Sequence, residues 1–192
     1  MGGIPIWEED GLETVQSSAI LRMLGIRLGY YTDKPQTAYE IDSIIDFIEG
    51  VVEHQSHWML PKLRGPKQWD ESQTTEYIAK VWAAVIPVIE ARFEKSSTKF
   101  VAGTTGPTIA DFKICQLPFA GTDLNPHSEY PADARAQIDA LFNAAPKYKA
   151  FLMMMKETVL ADYIATAEPR IARAAFQSSI ISSDYSHTIK IF

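Results

Sequence analysis

Gln16-Ser17-Ser18-Ala19-Ile20-Leu21-Arg22-Met23-Leu24-Gly25 is the stretch from which the rest of the chain can be read. Ser17 and Ser18 stand ahead of an apolar run, Ala19, Ile20, Leu21, Met23 and Leu24, as a hydroxyl N-cap stands ahead of a helix. The first N–H groups of a helix have no acceptor inside it, and its dipole is positive there. Such an end therefore suits an anion such as a carboxylate. On these residues alone, a plain capped helix is the simpler reading.

Working outward, residues 4 to 8 and 12 to 15 read as two strands joined by a hairpin turn at Asp10-Gly11. Gly25 and Gly29 punctuate the end of the helix, and Thr32-Asp33-Lys34-Pro35 is turn chemistry. Ile41, Ile44, Ile45, Ile48, Val51 and Val52 then recur at helical spacing, in a helix expected to run past Trp58 to Pro61. After Gly65-Pro66-Lys67 comes a second strong helical pattern, Tyr77, Ile78, Val81, Trp82, Val85, Ile86, Ile89 and Phe93. Pro87 lies inside it and removes a hydrogen bond. Further helices are expected from Thr108 to about Gly121, over 132–143, over 148–155 with Pro146 opening it, and over 158–165. Thr108-Ile109-Ala110-Asp111 is a capping box. It predicts a Thr hydroxyl on the Asp111 N–H and an Asp111 carboxylate on the Thr108 N–H.

The order Ile4-Pro5, Asp10-Gly11, Gln-Ser-x-Ala-Ile, Leu-Gly resembles the second half of the thioredoxin-like domain of glutathione S-transferases. The Thr-x-x-Asp box, after Phe100-Val101-Ala102-Gly103 and at the head of a short apolar helix, resembles the box in the central helix of that family's all-α domain. The resemblance spans about Ile4 to Ala167. It implies a mainly α fold: an all-α domain over 32–168 preceded by a remnant hairpin and helix of a thioredoxin-like domain over 1–31, with a C-terminal extension over 169–192. It also implies glutathione contacts. Ile4, before a cis Pro5, would pair its backbone with the tripeptide, and Gln16 and Ser17 would hold the γ-glutamyl end. Thr108 and Asp111 would be structural.

Two departures bear on activity. Only Met1, Gly2 and Gly3 precede Ile4, so the strand that carries the family's thiol-activating Tyr, Ser or Cys has no counterpart here and no catalytic residue is assigned. The family run Val-Asp-x-x-x-Asp-x-x-x-Asp, whose last Asp reaches a neighbouring subunit's glutathione, reads Ile41-Asp42, Asp46 and then Gly50. Glu49 and Glu53 are near but are expected to point elsewhere on the helix.

A net charge of −6 argues against nucleic acid or an anionic membrane as the main partner. No apolar run is long enough to span a bilayer, and the N-terminus lacks a signal-peptide pattern. A cytoplasmic location is the expectation. Cys115, the one cysteine, lies among Phe112, Ile114 and Leu117 and reads as a core residue. His54 and His57 are three apart on a helix but lack further ligands nearby, so no metal is expected. Tyr30 and Tyr31 read as packing at the domain junction. Arg170 to Phe192 carries Phe176, Ile180, Ile181, Ile189, Ile191 and Phe192, an apolar tail suited to docking.

The resulting expectation is a glutathione S-transferase-like structural or accessory subunit without its own catalysis. Glutathione would be at most a vestigial ligand or substrate, and other protein subunits would bind through the hairpin edge or the 170–192 tail. The alternatives are an active transferase completed by another chain and a binding module for an apolar ligand.

Overall fold

In the computed structural model, residues 6–64, 71–121 and 132–165 are described, with side chains over 6–51, 80–115, 133 and 135–165. Asp10 and Gly11 both take positive φ, 52° and 77°. This is the two-residue turn whose twist matches a hairpin. It joins β1 (Ile6–Glu9) to β2 (Leu12–Val15) in a two-stranded antiparallel sheet. Ile6 lies opposite Val15, Trp7 opposite Thr14, Glu8 opposite Glu13 and Glu9 opposite Leu12. The first strand ends at Glu9, one residue later than the sequence predicts, because the two-residue loop fixes the register. Ile4 and Pro5 lie outside the described residues.

Among the described residues six helices follow: α1 (Ser17–Leu28), α2 (Pro35–Arg64), α3 (Glu71–Lys95), α4 (Ile109–Gly121), α5 (Ala132–Asn143) and α6 (Pro146–Glu157). Helix α1 passes through Gly25 and stops at Gly29. There a left-handed residue, φ 78°, donates its N–H back to the Gly25 carbonyl. Helix α2 is longer at both ends than expected. Pro35 fills its first turn, where a missing N–H costs nothing, and the helix continues through Pro61. Pro87 does not split α3.

The chain divides into two units after Phe151. In the first, α2 packs on α4 and α3 on α5. The core holds Ile41, Ile44, Ile45 and Ile48 of α2, Trp82, Ile86 and Ile89 of α3, Ile109 and Ile114 of α4, and Ile138 of α5, all essentially inaccessible to water. Each such side chain contributes roughly 1.5–3 kcal/mol on burial. Tyr148 is buried too and donates its hydroxyl proton to the Ile114 carbonyl at 2.6 Å. Glu90 of α3 receives the Lys147 and Tyr148 N–H groups at 3.1 and 2.8 Å, so a carboxylate caps α6 from another helix. In the second unit the end of α6 gives way to a turn at 158–160 and a helical turn at 161–165. Thr158 Oγ1 donates to the Met154 carbonyl at 2.6 Å. The predicted 170–192 tail lies outside the described residues.

Candidate functional site: the start of helix α1

Ser17 and Ser18 do not cap α1 as the sequence suggests. They are its first two helical residues, and the N-cap position belongs to Gln16, which makes no side-chain capping bond. Gln16 has φ 78° and ψ 109°, an uncommon conformation for a side chain other than glycine. A backbone held there stores strain that the surrounding structure must impose.

With no local cap to serve, the two hydroxyls turn to α2. Ser17 Oγ donates to Glu49 Oε1 at 3.0 Å and Ser18 Oγ to Glu49 Oε2 at 3.1 Å. Lys113 Nζ of α4 joins Glu49 Oε2 at 2.6 Å. The Lys113 side chain is only 6% exposed, so this ion pair neutralises a buried cation, while the Glu49 side chain is 39% exposed. Burial alone would raise the Glu49 pKa. Hydrogen bonds from Lys113 and Ser17, the Lys113 charge and the Ser18 hydroxyl outweigh it and hold the carboxyl below its ordinary range.

One turn along, Arg22 of α1 spans Asp42 and Asp46 of α2 at 2.7 and 2.6 Å. Tyr31 donates its hydroxyl to the other Asp42 oxygen at 2.7 Å. Burial and that bond push the Tyr31 pKa up to about 12, so the phenol is not poised to lose a proton. Tyr30 meets Phe112 edge-on, ring centres 5.1 Å apart. Both tyrosines thus pack where the α1 segment joins the helices. α1 also lies close to α4: a methyl group added at Gly25 would sit 2.6 Å from Ile109 Cγ2. The Tyr30 carbonyl accepts the Ile109 N–H at 2.9 Å.

The expectation that Glu49 points elsewhere is corrected by helical geometry. At 3.6 residues per turn, position 49 lies about 20° around the axis from position 42, and position 50 about 80° away. Asp42, Asp46 and Glu49 therefore line the face turned to α1. Gly50 faces open space instead: a methyl group added there would meet nothing within 4 Å. The spacing of four and then three carried this signal, and counting in strict fours concealed it. Lys113 also had a signal, a lone cation between Phe112 and Ile114.

The capping box is half as expected. Asp111 Oδ2 accepts the Thr108 N–H at 2.7 Å, but the Thr108 hydroxyl donates to the same carboxylate at 2.9 Å. The Asp111 N–H goes to the Thr108 backbone carbonyl instead. Asp111 Oδ1 also takes the Val101 N–H at 2.9 Å, locking the preceding loop. Burial raises the Asp111 pKa, and these three bonds only partly restore it. Cys115 is buried and its thiol pKa is raised, first by burial and then by Asp111, as fits an inert core thiol. The side chains of His54 and His57 lie outside the described residues. No metal-holding group of His, Cys, Asp or Glu occurs among the described residues. No described helix is long and apolar enough to cross a membrane.

Comparison with solved structures decides the architecture. The glutathione S-transferase from Ascaris lumbricoides superposes with a TM-score of 0.66 at 20% identity, over 85% of this chain and 74% of that one. The fold is that of the glutathione S-transferases. Monomeric Na-GST-3, a glutathione S-transferase from the hookworm Necator americanus, gives a TM-score of 0.67 at 19% identity over 85% and 73% of the two chains. The glutathione S-transferase Blo t 8 gives 0.64 at 17% over 88% and 70%. No family model matches the chain, and no curated protein sequence does. In this glutathione S-transferase fold, the structure brings Gln16 and Ser17 together at one helix start and Thr108 and Asp111 at another.

Proposed function

We propose that this chain is a glutathione S-transferase-like protein that does not itself conjugate glutathione and serves as a structural subunit of a larger assembly. The observation that carries the reading is the commitment of Ser17. A hydroxyl has one proton to give, and that of Ser17 goes to Glu49. By resemblance, the start of α1 would receive the γ-glutamyl carboxylate. A second carboxylate arriving there would find the donor spent and an anion in place. Two unit charges about 4 Å apart repel by about 4 kcal/mol at an effective dielectric near 20, and Lys113 offsets part of this. That is about the whole free energy of a millimolar complex.

The partners of such a subunit would be other polypeptides, engaged through the hairpin edge or the 170–192 tail, in a cytoplasmic setting. The test is turnover. Purified chain is mixed with glutathione and a chromogenic aryl halide, and thiol consumption is followed. The expected rate equals the uncatalysed one. A saturable rate that Ser17→Ala abolishes would reject the reading.

A second reading, a module that still binds glutathione, is favoured by one observation. The strained Gln16 backbone is the kind of feature that persists at ligand sites. Absence of saturable binding excludes it, and binding without turnover supports it.

A further inference from the structure

The cation at the start of α1 differs from other ion-paired cations of the chain. Arg22, Arg27 and Arg92 have side chains 29%, 48% and 34% exposed, so water can take over from their acidic partners. Lys113 is 6% exposed and has no such recourse. A buried ammonium must keep an anion within reach, because a desolvated charge left alone is costly. Its acid is the opposite kind of group. Glu49 is partly exposed, on a flexible side chain, and can turn out to water. The donors that hold its carboxylate belong to other helices. Ser17 and Ser18 of α1 each bond one oxygen, and Lys113 of α4 bonds the oxygen that Ser18 also holds. Both oxygens are thus received by groups that would receive any carboxylate placed there. The end of α1 adds the attraction of its dipole. Of these residues only Ser17 belongs to the glutathione contacts that the resemblance implies. Ser18, Lys113 and Glu49 do not.

We infer that Glu49 is an autoinhibitory plug, a tethered carboxylate filling a site whose fixed members are Lys113, Ser17 and Ser18 and which takes the carboxylate of a small organic acid once Glu49 turns out to solvent. The exchange leaves the charge balance at Lys113 unchanged, since one carboxylate replaces another. Once out, Glu49 repels the newcomer only as a hydrated, screened charge. In the resting chain Glu49 prevails because a tethered group competes at high effective concentration. The inference deepens the proposed function: it rests on that reading for the closed state of the α1 start, and names what holds it closed and what the opened site would bind.

The test is chemical rescue in the full chain. Glu49→Ala removes the atoms that acetate can put back. Acetate is titrated at constant ionic strength into wild type and Glu49→Ala, and the amide signals of Ser17 and Ser18 are followed by NMR. Saturable shifts are expected in Glu49→Ala, with an affinity about tenfold or more above that of wild type. Adding Lys113→Met to Glu49→Ala should abolish them. Glu49→Asp, whose carboxylate falls one methylene short, is the milder variant should Glu49→Ala fold poorly, and it should gain about threefold or more. A second probe, N-acetylglycine, carries its carboxylate on a longer body and should bind Glu49→Ala as well. Equal affinity in wild type and both variants, binding that survives Lys113→Met, or failure of acetate to bind would each overturn the inference. So would binding of acetate without N-acetylglycine, which would mark a repaired ion pair with no room for a ligand. Thiol turnover is read separately on wild type. Turnover there, with acid binding in Glu49→Ala, would reject the non-conjugating function and leave the plug; no turnover and no acid binding would do the reverse.

Discussion

The starts of α1 and α4 both set a carboxylate among the groups at a helix N-terminus, by different routes. At α4 the carboxylate is local. Asp111 lies three residues after Thr108, is fully buried, and gathers two backbone N–H groups and one hydroxyl. At α1 it is imported. Glu49 arrives from a helix some thirty residues on, remains partly exposed, and is held by two hydroxyls and a lysine. The first arrangement is a folding device with no room for a ligand. The second occupies a place where the resemblance puts one. On the proposed reading, one chemical motif, an anion at a helix start, serves stability at α4 and keeps a ligand out at α1.

Replacing Asp111 should have the largest effect. The capping box alone suggests a loss of about 1–2 kcal/mol in Asp111→Ala. With the Val101 N–H also orphaned in a buried place, the expected loss in chemical denaturation is about 3 kcal/mol. A loss under about 1 kcal/mol would mean that water replaces the carboxylate, and the contrast with Glu49 would collapse.

Next in size is Gly25→Ala, where the new methyl would lie 2.6 Å from a buried Ile109 side chain. Overpacking of this kind costs about 1–3 kcal/mol. Gly50→Ala is its control: the position is open, and replacing glycine within a helix should stabilise by about 0.5–1 kcal/mol. If both substitutions were neutral in thermal melts, α1 would not be held closely against α4.

Glu49→Ala should cost about 1 kcal/mol, chiefly by leaving the buried Lys113 cation unpaired. The exposure of Glu49 itself keeps the figure low. Lys113→Met in the same chain should restore most of it. The pH dependence has a definite sign. Because folding lowers the Glu49 pKa, its contribution is fully present above the ordinary glutamate value, about 4.3, and is lost as pH falls through the lower folded value. The stability difference between wild type and Glu49→Gln should therefore be constant at neutral pH and vanish in acid. A difference that instead grew with acidity would contradict the ion pair.

The helical architecture was readable because its signals are local. The isoleucine period of α2, the Thr108–Asp111 spacing and Asp10-Gly11 each act within a few residues. The boundaries of α2 were not, since Pro61 ends a helix by local rules and here does not. The role of Ser17 was half readable. Its hydroxyl at a helix start was plain, but its acceptor comes from a separate helix. Only the placement of Asp42, Asp46 and Glu49 on one face hinted at which acid would arrive. Gln16 gave no warning of its positive φ, because nothing in a glutamine side chain favours that backbone.

The most direct test of the central claim is a calorimetric titration of glutathione into the wild-type chain at neutral pH. With Ser17 given to Glu49, no saturable heat is expected up to about 10 mM ligand, an affinity weaker than millimolar. A micromolar dissociation constant that disappears in Ser17→Ala would show that the helix start is open to the ligand, and would contradict the account.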